Sequence, residues 1–175
     1  MTDSATQHKP AAELMREEFG YVAAKDLEGL LSLAHDDVTE DFIPLRTLRG
    51  KAQVRAFFEA QFAALPDQDF QVEDIHAVDA NVAVGQWRIR GTFSGGSFEG
   101  IEPTGKPVDI RGIDVMRFED GLLKHNTIYY DGLTFARQVG LLPAEESPAD
   151  RAMLAAFNGL TSLKRTIKDA IDSRR

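Results

Sequence analysis

The sequence predicts an α+β fold: a curved antiparallel β-sheet wrapped around N-terminal helices, plus an extra C-terminal helix. Three observations predict it. Up to residue 64, apolar residues recur mostly at helical spacing. From Phe70 the pattern becomes four long strand-like runs, 70–78, 82–93, 108–118 and 122–130, separated by Asn81, a glycine-rich loop and Asp120-Gly121. Beyond Pro143 the spacing turns helical again. Helices first and strands afterwards is the order of an α+β domain, and long bent strands closed by helices leave a cone open at one end.

Each element has its own signal. Pro10 opens a first helix carrying Leu14, Met15, Phe19, Val22 and Leu27. Asp26 suits the N-cap of a short second helix with Leu30, Leu31 and Leu33, which stops before a turn at His35-Asp36-Asp37. A short strand is expected over residues 38–44. In the following helix, residues 51–64, Val54, Phe57, Phe58 and Phe62 share one face, and Pro66-Asp67 ends it. The loop 94–105 holds four glycines without phosphate-loop spacing, so it reads as a flexible connection with a mobile flap as the alternative. Ser147-Pro148-Ala149-Asp150 starts a helix of roughly 25 residues with Met153, Phe157, Leu160, Ile167 and Ile171 in a stripe, and Asn158-Gly159 is a possible bend. That stripe suits either its own domain or a second subunit. The organisation expected is a disordered tail over residues 1–9, one domain over 10–142 and a helical extension over 143–175.

Composition narrows the function. A chain of 175 residues without cysteine can bury roughly 70% of its unfolded surface without disulfides, and it has neither thiolate metal ligands nor a Cys nucleophile. A net charge of −8, from 28 acidic against 20 basic residues, opposes the phosphate neutralisation that nucleic-acid binding needs. No apolar run reaches signal-peptide or membrane-span length, so a cytoplasmic, membrane-independent protein is expected. His8, His35, His76 and His125 show no HxH or HExxH spacing and no GxSxG elbow occurs, so no metal site, cofactor or serine triad is expected.

The chemistry concentrates in residues 103–140, where two strand-like runs each carry an out-of-place carboxylate. Asp114 shares a strand face with Ile110, Gly112, Met116 and Phe118, an apolar setting in which an unpaired carboxylate is costly. A raised pKa and a hydrogen-bond role are expected of it, with a structural ion pair as the alternative. Asp131 follows Tyr130 at a strand end, so it either turns toward a cavity mouth or caps the helix beginning near Leu133. Asn126, Ile128 and Tyr130 share one face. Trp87 is expected inward, His76 is a candidate polar group of a pocket, and Tyr21 on the first helix is a candidate for reaching into the cone.

The segments AKDLEGLLSLAHDDVTEDF, RGKAQVRAFF and GTFSGGSFEGIEPTGKPVDIRGIDVMRFEDGLLKHNTIYYDGLTFARQVG together resemble the SnoaL-like polyketide cyclases of the NTF2-like cone superfamily, over about residues 10–142. The resemblance implies a curved sheet around helices, an apolar cavity and often a dimer through the outer sheet face. It implies that Asp131 acts as general acid and base of an intramolecular aldol closure, and that Asp114 is a hydrogen-bond donor like the protonated acid of the related ketosteroid isomerases. The chain departs from the family pattern at Phe93, where His is common, and at Asn126, where Trp is. Epoxide-hydrolysing relatives use an Arg-x-Asp pair that this chain lacks.

The expected function is therefore a cofactor-free cyclase or isomerase acting on a small hydrophobic carbonyl compound, with Asp131 and Asp114 catalytic. Tyr130, Asn126, Trp87, His76, Tyr21 and Met116 would line the substrate site, and the chain would form a homodimer. The alternatives are a non-catalytic binding or assembly module and, more remotely, an epoxide hydrolase or epoxide cyclase.

Overall fold

The computed structural model describes residues 8–43 and 45–172. Helix α1 (Ala11–Ala24) turns one stripe inward, burying Ala11, Leu14, Met15, Glu18, Phe19 and Val22, and ends at Lys25 in the left-handed conformation, φ 55°. From there the Lys25 ammonium donates to the carbonyls of Leu65 and Pro66, which ties the end of α1 to the end of α3 (Gly50–Ala64). Between them, α2 (Leu27–Ser32) is capped by Asp26, whose carboxylate accepts from the Gly29 amide at 2.9 Å.

Six strands follow the order β2-β1-β6-β5-β4-β3 in one curved, unclosed sheet. β3 (Asp69–Ala77), β4 (Val82–Phe93), β5 (Lys106–Glu119) and β6 (Leu122–Tyr130) form the antiparallel succession expected from their turns. β1 (Ala34–Ile43) changes the sheet's character by pairing in parallel with β6, so the sheet is mixed. His35, Asp36 and Asp37 belong to this strand rather than to a turn, and Arg46–Arg49 forms a short strand β2 beside it. The parallel placement of β1 was not readable locally, because its partner β6 lies nearly ninety residues away.

α1 packs on β3, β4 and β5, while α3 packs on β1 and β2. The seating of α1 depends on Gly85: a Cβ there would lie 2.6 Å from Met15 Sδ and from the Phe19 ring, so only glycine lets the helix come this close. Phe19, Phe93, Met15 and Met116 are the largest fully buried side chains of the resulting core.

α4 (Gly132–Val139) lies against β5, and α5 (Pro148–Asp172) runs as one helix through Asn158-Gly159 without a break. The tail expected over residues 1–9 falls outside the described residues for positions 1–7. No helix among the described residues is long and apolar enough to cross a membrane.

Candidate active site

Three strands bring Trp87, Asp114 and Asn126 onto one concave face. In the β4–β5 ladder Asp114 stands opposite Gly85 and Trp87 opposite Gly112; in the β5–β6 ladder Met116 stands opposite Asn126. Trp87 and Asn126 are therefore diagonal neighbours of Asp114, within reach of their side chains. The Trp87 indole Nε1 donates to Asp114 Oδ1 at 2.7 Å, and Asn126 Nδ2 donates to Asp114 Oδ2 at 2.8 Å. Gly112 makes the first bond possible, since a Cβ at this position would lie 2.2 Å from Trp87 Cζ2.

Two further acids face the same space. Glu40 lies between Val38 and Phe42 on the inward face of β1, directly beside Asn126 in the parallel β1–β6 register. Glu18 comes from the buried stripe of α1. Glu18, Glu40, Asp114 and Asn126 are all at most 5% exposed. With Trp87 and Gln61 they line an inner chamber of about 50 Å³ whose other walls are apolar. Glu18 Oε2, Glu40 Oε2 and Asn126 Oδ1 have no partner among the described residues, which leaves three buried polar atoms open to a ligand.

The inner chamber continues into an outer one of about 60 Å³, the two sharing Phe42, Gln61, Trp87, Ile89 and Ile128 as walls. Phe57, Phe98, Tyr130 and Phe135 complete the outer part, with Phe98 edge-on to Phe57 at 5.4 Å. Phe98 belongs to the glycine-rich loop, which is fastened at the next residue by an ion pair between Glu99 and Arg46. Taken separately, each chamber is small. A ring-sized molecule would fit only by spanning both.

Burial and mutual repulsion order the three acids. Burial raises Asp114 to about 6, while the hydrogen bonds from Asn126 and Trp87 favour its charged form and hold the rise in check. Burial, followed by the charge of Asp114, raises Glu40 to about 8. Burial and the two neighbouring acids push Glu18 well above the ordinary carboxylate range. Of Asp114 and Glu40, Asp114 is therefore the readier to ionise.

Several expected site residues lie elsewhere. Asp131 is exposed at the start of α4, its Oδ1 accepting from the Thr134 amide at 2.9 Å and its Oδ2 from Thr134 Oγ1 at 2.6 Å. These bonds hold its carboxyl below the usual range, and it lines neither chamber. The helix-capping alternative therefore describes its position, with both oxygens committed to Thr134. His76 is exposed on β3 and sits 2.9 Å from Asp74, because a register shift between Val72 and Asp74 breaks the alternation and turns Ile75 rather than His76 toward the core. Tyr21 lies over Gly29 and donates to Glu17 at 3.3 Å, and Met116 is core; neither lines a chamber. Trp87, Asn126, Tyr130 and Asp114 do line the cavity.

The sequence reading missed Glu18, Glu40 and Gln61. Its own test for misplaced acids would have found the first two: Glu18 stands in the stripe of Met15, Phe19 and Val22, and Glu40 alternates with Val38 and Phe42. Among the described residues no cluster of His, Asp and Glu has the arrangement a metal ion needs.

Known proteins share this architecture. A candidate SnoaL-like polyketide cyclase from Jannaschia sp. CCS1 superposes with a TM-score of 0.69 at 21% identity, covering 82% of this chain and 100% of that one. AclR from Streptomyces galilaeus, a candidate hydroxylase, gives 0.65 at 22% identity, covering 75% and 96%. A candidate polyketide cyclase from Pseudomonas putida KT2440 gives 0.65 at 22%, covering 75% and 98%. At these identities the likeness is one of fold. No curated protein matches the chain. The family model of the SnoaL-like polyketide cyclases matches residues 13–139, from within α1 to the end of α4, and the chain belongs to that family.

Proposed function

We propose that this protein is a cofactor-independent cyclase or isomerase that works by general acid–base catalysis on a small hydrophobic carbonyl compound, with Asp114 as the base and Glu40 and Glu18 as proton donors. The observation that supports it is a carboxyl group held by two fixed donors in a largely apolar chamber, facing two acids whose neutral forms burial favours. Asp114 is an acceptor here, since both Trp87 Nε1 and Asn126 Nδ2 donate to it, so the donor role that the resemblance implied for it passes to the glutamic acids. With a substrate carbonyl oxygen at Glu40, Asp114 removes the proton from the neighbouring carbon. The Glu40 carboxyl then donates to the enolate oxygen as charge develops there. Return of the proton from Asp114 to another carbon is isomerisation; attack of the enolate carbon on an internal carbonyl closes a ring, and the alkoxide formed there takes the proton from Asp114.

A positioned base contributes about 10²- to 10⁴-fold and an oxyanion donor about 10²- to 10³-fold, enough for an activated substrate. The apolar outer chamber supplies the binding energy for the substrate's body and keeps water from the enolate. The family and the candidate cyclases of the same fold support a ring closure of polyketide type.

The test is exchange of α-protons for deuterium in a panel of cyclic ketones and 1,3-dicarbonyl compounds, followed by NMR. Exchange by the unaltered protein that falls at least 100-fold in Asp114→Asn, with ligand binding retained, supports the reading. Binding without exchange in either protein would make the domain a non-catalytic binding module.

A further inference from the structure

α5 lies beyond the family domain and carries a long exposed apolar stripe. Met153, Phe157, Leu160, Leu163, Ile167 and Ile171 are between 38% and 66% exposed. A 25-residue helix containing Asn158, Gly159, Thr161 and Ser162 has too little intrinsic propensity to persist alone in water, so packing on a partner has to supply the rest. Its start is fastened to the domain: Arg137 of α4 donates to Asp150 Oδ1 at 3.1 Å and to the Pro143 carbonyl at 2.7 Å, while the Asp150 amide donates to Ser147 Oγ. The apolar stripe remains open beyond that anchor.

The spacing identifies the partner. Met153, Leu160 and Ile167 recur every seven residues, and Phe157, Lys164 and Ile171 recur every seven residues between them, the two alternating series of a two-stranded coiled coil. A parallel pair would set Lys164 against Lys164 of the other copy inside the seam. An antiparallel pair removes that clash and produces a self-consistent register: Met153 meets Ile171, Phe157 meets Ile167, and Lys164 lies along Leu160 with its ammonium reaching solvent. In this register the two-fold axis passes at the level of position 162, between Leu160 and Lys164, and Leu163, just off the stripe, flanks that axis beside its own copy. Two copies cover on the order of 1,000 Å² in this way, the size at which specific association begins. The outer sheet face carries the ion pairs Arg88–Asp109 and Arg111–Glu73, and its exposed apolar row of Ile43, Tyr129 and Ile113 is shorter than the stripe of α5.

We propose that α5 joins two copies of this chain through an antiparallel helix pair whose two-fold axis lies between Leu160 and Lys164. The absence of cysteine makes the test clean. In the full chain, Leu163→Cys forms a disulfide-linked dimer under mild oxidation in high yield, whereas Met153→Cys alone does not and Met153→Cys with Ile171→Cys does. Sedimentation of the unaltered protein gives twice the chain mass, and Leu160→Glu halves it. Ser162→Glu, on the opposite side of the helix, leaves the mass unchanged and controls for general loss of helix. A monomeric unaltered protein overturns the proposal and assigns the stripe to a different partner. An unchanged mass in Leu160→Glu overturns it as well, as does efficient self-linking of Met153→Cys, the parallel result.

Discussion

Trp87 and Asp114 are joined by a 2.7 Å hydrogen bond that crosses from β4 to β5 over the bare backbone of Gly112. This donor, with that of Asn126, keeps a fully buried carboxylate near 6 instead of letting burial carry it higher. Removing it has a directional effect. Trp87→Phe keeps the ring and loses the N–H, so the acid limb of the kcat/KM profile should move up by about 1 pH unit, the size expected for one hydrogen bond to a charged group. A limb that stays in place would remove Asp114 from the base role.

Gly112→Ala should act at a distance on the same bond. Its methyl group would overlap the indole, which has to tilt or withdraw. The expectation is a loss of about 1–3 kcal/mol of stability by urea denaturation, together with the same pH shift as Trp87→Phe. Stability loss without the shift would mean that the indole keeps its bond and the backbone moves instead.

Stability should also depend on pH in a sense opposite to ordinary acid unfolding. Glu40 is raised from about 4.5 unfolded to about 8 folded, so its contribution is fully present below pH 4.5 and is lost as pH rises through 8. Urea denaturation at a series of pH values between 5 and 9 should show stability falling by a few kcal/mol toward the alkaline end, and Glu40→Gln should flatten the slope. A slope unchanged in Glu40→Gln would mean that Glu40 titrates normally.

Asp131 separates the inherited assignment from the one proposed above. As an N-cap whose two oxygens serve Thr134, its replacement by Ala should lower stability by about 1 kcal/mol and leave α-proton exchange within about two-fold. A loss of exchange comparable to that of Asp114→Asn would return the base to the mouth of the cone.

The helices, the antiparallel run of four strands and the inward face of β5 follow from period and turn chemistry, which are local. Asp114 stands out for the same reason: alternation alone puts it on the apolar face beside Gly112 and Met116. Asp131 shows where locality ends, because one residue past a strand its direction depends on whether the chain continues the pleat or turns into a helix, and here it turns. The parallel placement of β1 is similarly invisible, since it depends on β6, far along the chain.

The sequence by itself determined the family, the order of the helices and of the four antiparallel strands, and one buried acid, because hydrophobic period and glycine-marked turns act over a few residues. Only the tertiary structure decided what that acid does. Glu18 of α1 and Glu40 of β1 become its neighbours through helix seating and a parallel strand pairing, and the pKa of a buried carboxylate is set by the groups that surround it in space.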